Sequence, residues 1–250
     1  MNLTYLEIDH QRSHYDRLSG PARDAFMDRL VFSWLYHDHA LEGVVLTDRD
    51  IWRALSGQPV RNYCDGLVQK SLLRQREIAL SFFDPEARPV ELTMDYIKEL
   101  HCRLCDDTDE AAGRYRKRDT SPGVYNLSVV PHASISYYFR KFMDTWEDEL
   151  RHYHPVRAAA IAHWEFMKVF PFDEKSGIVG RLMMNYLLVR AGYPPAIIHA
   201  HDRHHYFSAL DGGRTDLVPV IVDAISAAID AAEAFSRREQ QQQQPAQMAL

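Results

Sequence analysis

Residues His154 to Leu210 read HPVRAAAIAHWEFMKVFPFDEKSGIVGRLMMNYLLVRAGYPPAIIHAHDRHHYFSAL, a string with three helical segments and two punctuated turns. Pro155 begins the first helix, and Ile161, Phe166 and Met167 carry its apolar stripe as far as Val169 or Phe170. A strongly apolar helix follows from about Ile178 to Ala191, closed by Gly192 and Pro194-Pro195. After Asp202 a short helix holds Tyr206, Phe207 and Leu210. The loop between the first two helices has a chemistry of its own. A loop that enters a helix turns free backbone N–H groups and the positive end of the helix dipole toward its mouth. That is a cradle suited to phosphate. Gly177 permits close backbone approach. A carboxylate at Glu174 can hold a magnesium ion against phosphate oxygens, and Arg181, one turn into the helix, adds a fixed cation.

Outward from this stretch, helical periodicity dominates. Asp24 to His39 places Phe26, Leu30, Trp34 and Leu35 at helical spacing. Thr47 caps a further helix whose first turn carries Asp48 and Asp50. Helices are also expected from Arg61 to Gln75, from Thr93 to Leu104 and from Ser134 to His152, with a break at Ser81 to Pro85. From Ala112 to His132 the texture changes. Gly113, Pro122, Gly123, Asn126 and Pro131 punctuate short segments with Tyr115, Val124, Tyr125, Val129 and Val130, an expected extended or hairpin region. Leu217 to Phe235 forms the last helix. Arg237 to Leu250, with five consecutive glutamines and a proline, is expected to be disordered. The class is therefore all-α with one small β-hairpin. Residues 1–90 form an N-terminal helical region, 91–236 a core domain and 237–250 a glutamine-rich tail.

Several motifs, in order, resemble the Fic (Fido) family, whose members transfer AMP or related phosphate-containing groups to protein hydroxyls. The family has H-x-x-F on a helix, matched by His163 and Phe166, then the loop H-P-F-x-D/E-G-N-G-R-x-x-R opening the next helix. Its A-G-Y-P-P turn is matched by Ala191 to Pro195, and R-x-x-Y-x-x-A-L by Arg203, Tyr206, Ala209 and Leu210. Here the loop reads FPFDEKSGIVGR. Phe170 stands at the position of the histidine base, Lys175 replaces the first glycine, Ser176 the asparagine and Ile178 the first arginine. Pro171, Phe172, Glu174, Gly177 and Arg181 are kept. Removing a general base costs about 10² to 10⁴ in rate, and loss of a phosphate-neutralising arginine adds to that. The resemblance thus implies an inactive or very weak AMP-transferase that retains a phosphate or nucleotide pocket. The alternative is an enzyme of altered chemistry, hydrolytic, lyase or transfer, on a phosphate-containing or other small substrate.

The resemblance assigns further residues. Asp38-His-Ala-Leu-Glu42-Gly43 is similar to the N-terminal inhibitory helix of the family, in which the glutamate pairs with the second loop arginine, here Arg181. That glutamate serves as a water-activating base in some members, so Glu42, Asp173 and Lys175 are the candidate catalytic groups. Glu174, Lys175, Ser176, Gly177, Arg181, His201, Arg203 and Tyr206 are the candidate nucleotide-binding residues, with magnesium at Glu174. His163, seven residues before Phe170 and about 10 Å away, reads as structural. Residues 112–132 correspond to a hairpin flap that docks a protein target by strand addition. Related proteins often dimerise, so a homodimer is an expected assembly.

Composition excludes other classes. With 46% hydrophobic and 26% charged residues and a formal net charge of -6, no general attraction to nucleic acid or anionic membrane is expected. Glu7, Asp9, His10 and Arg12 break the N-terminus as a signal peptide, no apolar run reaches a span's length, and three cysteines suit a reducing cytosol. Cytoplasmic residence is the expectation. Cys102 and Cys105 beside His101 lack a second CxxC, so they read as small apolar residues on a helix. His199, His201, Asp202, His204 and His205 fall within seven residues, a density that suits either a transition metal or a solvated, pocket-lining cluster.

Overall fold

The computed structural model describes residues 5–15, 18, 20–59 and 63–247, and every regular element among them is a helix. In chain order these are α1 (Tyr5–Tyr15), α2 (Gly20–Leu41), α3 (Asp48–Leu55), α4 (Tyr63–Phe83), α5 (Met94–Leu104), α6 (Ile135–Asp148), α7 (Pro155–Val169), α8 (Ser176–Arg190), α9 (Arg203–Asp211) and α10 (Leu217–Gln247). The organising element is α8. Every residue from Ser176 to Tyr186 is buried, as expected of a helix apolar on all sides. α7, with Ala158, Ala159 and Ala160 permitting close approach, lies along it, while α4 and α5 cover other faces. α10 backs α7, α1 lies on α10, and α2 and α3 pack on α4. Buried side chains from α1 through α10 join in one apolar cluster.

Local signals explain the helix ends. Thr47 and Asp50 form a capping box at α3, and Thr93 caps α5 by accepting the Tyr96 N–H. Gly192, with φ of 85°, takes the left-handed position that ends α8. There Arg12 of α1 donates to the Ala191 carbonyl at 3.2 Å and lies over the Tyr193 ring, so the first helix holds the last turn of the central one.

Three expectations are corrected. The hairpin at 112–132 is not formed, because its backbone groups bond one another only in a local turn at Pro122, while others bond the end of α7 and the loop after it. The Arg116 N–H donates to the Pro171 carbonyl at 2.9 Å and the Val130 N–H to the Lys168 carbonyl at 3.0 Å. The buried Arg116 guanidinium also bonds the carbonyls of Phe170, Arg118 and Val130. α4 continues past Gln75 to Phe83, since Ile78, Ala79, Phe82 and Phe83 keep burying at helical spacing. Arg61 and Asn62, its expected start, lie outside the described residues, as do 248–250. α10 runs beyond Phe235 to Gln247, glutamine being a good helix former. Among the described residues no helix is long and apolar enough to cross a membrane.

Candidate functional site

The loop between α7 and α8 is held by side chains from far along the chain. Phe170 ends α7 with φ of 44°, an uncommon value for a bulky residue. The Arg116 Nε, 2.9 Å from the Phe170 carbonyl, helps fix it there. Phe172 is fully buried and its ring stacks on His101 at 3.9 Å and 4°. His101 Nδ1 accepts the Gly113 N–H at 2.9 Å, so its Nε2 carries the proton donated to the Glu174 carbonyl at 3.2 Å. That tautomer is neutral, and burial pushes the pKa of His101 down to about 4. Ser176, expected to face a ligand, is buried instead. Its hydroxyl donates to the Phe172 carbonyl at 3.0 Å and accepts the Phe172 N–H at 2.9 Å, which uses its hydrogen-bonding capacity on the loop itself.

Arg181, one turn inside α8, sits at the centre of a buried polar nest. Its Nε bonds Asp38, its Nη2 donates to Glu42 Oε1 at 2.6 Å, and its Nη1 donates to the hydroxyls of Tyr125 at 2.8 Å and Tyr206 at 3.4 Å. Tyr125 donates in turn to Glu42, and Tyr206 to His163 Nε2 at 2.7 Å. Burial works against the charge on Arg181, but Asp38 leads a set of partners that hold its pKa well above the ordinary value. Burial raises Tyr125 well above its usual range and Tyr206 to about 12, and it lowers His163 to about 3. His163 is thus a neutral structural group.

Gly177 has its neighbours where a side chain would stand. A Cβ there would overlap the Tyr125 hydroxyl and the Glu42 carboxylate, with the Tyr125 ring carbon 2.8 Å away. Gly177→Ala must displace both of them. The expected cost is about 1–3 kcal/mol, against the gain of about 1 kcal/mol that alanine brings to a helix. A lowered urea midpoint checks this.

Beside the nest opens a cavity of about 540 Å³. Val44, Leu46, Val68, Val124, Phe170 and Ile178 form its apolar wall; Glu42, Asp173, Glu174 and Lys175 supply charge. Asp173 and Glu174 are exposed, while Lys175 is half-buried with φ of 59° and has no ion-pair partner among the described residues. Of the residues expected at the site, Tyr206 and Arg181 lie beneath the cavity floor, Gly177 meets Tyr125 and Glu42, and Ser176 turns inward. His201 and Arg203 are exposed at the start of α9 and do not line it. Their placement follows from the turn before α9, which directs only Tyr206 inward. Sequence reasoning missed Tyr125, placed in the expected hairpin, and Asp38, named only as the start of the stretch similar to the inhibitory helix. The four-residue spacing of Asp38 and Glu42 was the available signal, since it puts both carboxylates on one helix face.

His101 and His163 set an acid limit. Their folded values of about 4 and about 3 lie below the exposed value of 6.5, so the unfolded chain binds protons first as pH falls. Their contribution is whole above about pH 6.5 and is lost as pH falls toward the folded values. Each is expected to cost about 2 kcal/mol between pH 6.5 and pH 5. Urea midpoints should show this slope, and His101→Asn, which does not titrate, should reduce it.

The loop was expected to hold magnesium through Glu174. That carboxylate is exposed at the cavity mouth, but the Tyr125 hydroxyl and the Glu42 carboxylate occupy the space over Gly177 where phosphates would bring the ion. The donors present do not fit a magnesium-bound triphosphate in this arrangement.

Residues 91–188 match the sequence model of the Fic/DOC family. The chain is 31% identical over 234 residues to the protein adenylyltransferase Fic of Nematostella vectensis, covering 86% of this chain and 51% of that protein. It is 30% identical over 209 residues to the protein of the same name from Drosophila willistoni, covering 80% of this chain and 41% of that one. The chain thus spans about half the length of the curated relatives it matches. Fic-1 from C. elegans superposes with a TM-score of 0.74 at 23% identity, over 95% of this chain and 72% of that one. A Fic-domain-containing signaling protein from Bacteroides thetaiotaomicron gives 0.71 at 21% identity, over 92% and 96%. These two likenesses show the fold.

Proposed function

We propose that this chain, which belongs to the Fic/DOC family, is a binding or regulatory protein that has lost AMP transfer and keeps a pocket for a phosphate-bearing or nucleotide ligand. The observation that carries the reading is Phe170. At the position of the family's base stands a largely buried ring that cannot accept a proton, edge-on to Tyr125 with ring centres 6.1 Å apart. The nearby groups do not replace it well. Glu42 is bonded to Arg181 and Tyr125, and Asp173 points to solvent at the mouth. The missing arginine compounds the loss, because Ile178 adds an apolar wall where the family has a phosphate-binding cation.

The pocket supports a ligand with an apolar body and one anionic end. Valine, leucine, isoleucine and phenylalanine form its apolar wall, alongside polar His39, Ser71, Gln75 and Thr120, and Lys175 is the cation at its mouth. Phosphates reach the helix start only when Glu42 withdraws from Gly177. Thermal shift with ATP, ADP and AMP tests this on wild type and Glu42→Ala. Stabilisation of Glu42→Ala above that of wild type is expected, and no stabilisation of either by any nucleotide overturns the pocket. Labelled-ATP incubation with cell lysate tests the lost activity: no labelled band is expected, and a band abolished by Arg181→Ala overturns it.

A second reading, altered chemistry on a small substrate, has one observation in its favour. Glu42, Asp173 and Lys175 all line the same cavity. Mass spectrometry of bound nucleotides after incubation separates the two readings, since conversion that disappears in Glu42→Ala belongs to the second.

A further inference from the structure

We infer that His199, His201 and Asp202 form a site for one divalent transition-metal ion, zinc first among them, apart from the main cavity. Each residue offers one ligand atom, and these atoms lie within 4.8 Å of one another. His201 Nε2 is 3.2 Å from Asp202 Oδ2. Two ligand atoms of a tetrahedral zinc ion with bonds near 2.0–2.1 Å stand about 3.3 Å apart. One edge of the polyhedron is therefore already set. The remaining two edges, both to His199, lie within 4.8 Å and close by small side-chain rotations of the exposed His201–Asp202 pair, whose imidazole already stands edge-on to the His199 ring with centres 5.3 Å apart.

The backbone that carries the ligands is fixed. The His199 ring stacks on His37 of α2 at 4.3 Å and 20°, and His37 Nδ1 accepts the Ala200 N–H at 3.2 Å. The residue between the two histidine ligands is thereby pinned to another helix, so little ordering entropy is left for the metal to offset. Two imidazoles and one carboxylate suit zinc, copper or nickel, while magnesium and calcium prefer all-oxygen sites. Three protein ligands leave a fourth position open. A small cavity of about 110 Å³ lined by His199, Asp202, His205 and Asp223 gives room there for water or for His205. None of the three ligands lines the main cavity, so the ion's place is structural: it cross-links the side chains of the segment before α9, which the His37 stack already holds against α2.

Zinc chloride titrated into the full chain by calorimetry tests this, with cobalt(II) as a spectroscopic probe. One ion per chain is expected, with affinity reduced about 10- to 100-fold or more by His201→Ala or Asp202→Asn. His132→Ala, which alters a histidine bonded to Asp119 elsewhere, should bind as wild type does. Cobalt absorption should lack a thiolate charge-transfer band. Circular dichroism of His201→Ala should match wild type, because that side chain carries no core packing. Absence of binding by wild type, unchanged binding in both His201→Ala and Asp202→Asn, or a thiolate band that assigns the ion to cysteine would each overturn the proposal.

Discussion

Phe170→His combined with Ile178→Arg and Glu42→Ala is expected to transfer AMP about 10² to 10⁴-fold faster than Glu42→Ala alone. The backbone at residue 170 is fixed without help from its side chain. Its N–H bonds the Phe166 carbonyl at 2.9 Å, and its own carbonyl accepts from Arg116 at 2.9 Å. A histidine installed there inherits a set position. It also suits the left-handed backbone better than phenylalanine, since histidine is among the side chains enriched at positive φ. Ile178→Arg returns a cation to the cavity wall, and Glu42→Ala removes the carboxylate over Gly177 together with the hydrogen bond it accepts from Tyr125, leaving the phenol to move aside. The readout is labelled AMP on protein in lysate or on the chain itself. If the triple variant binds nucleotide yet transfers no faster than Glu42→Ala, the missing base and cation are not what silences the site.

Arg181→Met is expected to destabilise the fold by about 3–5 kcal/mol. The arginine and Asp38 are almost fully enclosed, with side chains 2% and 1% exposed. Removing the cation leaves Asp38 buried without a partner, beside Glu42 and two protonated tyrosines. Since the penalty comes chiefly from the orphaned charge, Arg181→Met with Asp38→Asn should recover most of it. Urea denaturation of the two single variants and the double variant measures the coupling. A double variant as unstable as the sum of the singles would mean that Asp38 and Arg181 contribute independently, and that the nest is not an electrostatic unit.

The two predictions draw on different parts of the site, and the sequence reveals those parts unequally. The Phe170 substitution is visible in the loop string. So is the Glu42–Arg181 pairing, which the resemblance implied and the ion pair at 2.6 Å matches. Asp38 and Tyr125 were not legible. Asp38 meets Arg181 across 143 residues of chain, and Tyr125 across 56, so no local pattern marks either as a partner. Ser176 misled for the opposite reason. Its position in the loop suggested a ligand contact, but its hydroxyl is consumed by Phe172 four residues earlier.

The same division runs through the fold. Sequence alone determined the helices, their capping at Thr47 and Thr93, the stop at Gly192 and the helix–loop–helix around Gly177, because these depend on apolar spacing and on backbone groups within one or two turns. Only the tertiary structure decided that residues 112–132 strap the loop through Arg116 in place of forming a hairpin. It alone put a carboxylate and a phenol over the helix start, and set His201 and Arg203 outside the cavity. Each of those outcomes depends on which distant group satisfies a buried donor or acceptor, and that choice is made by packing between segments that the linear order keeps apart.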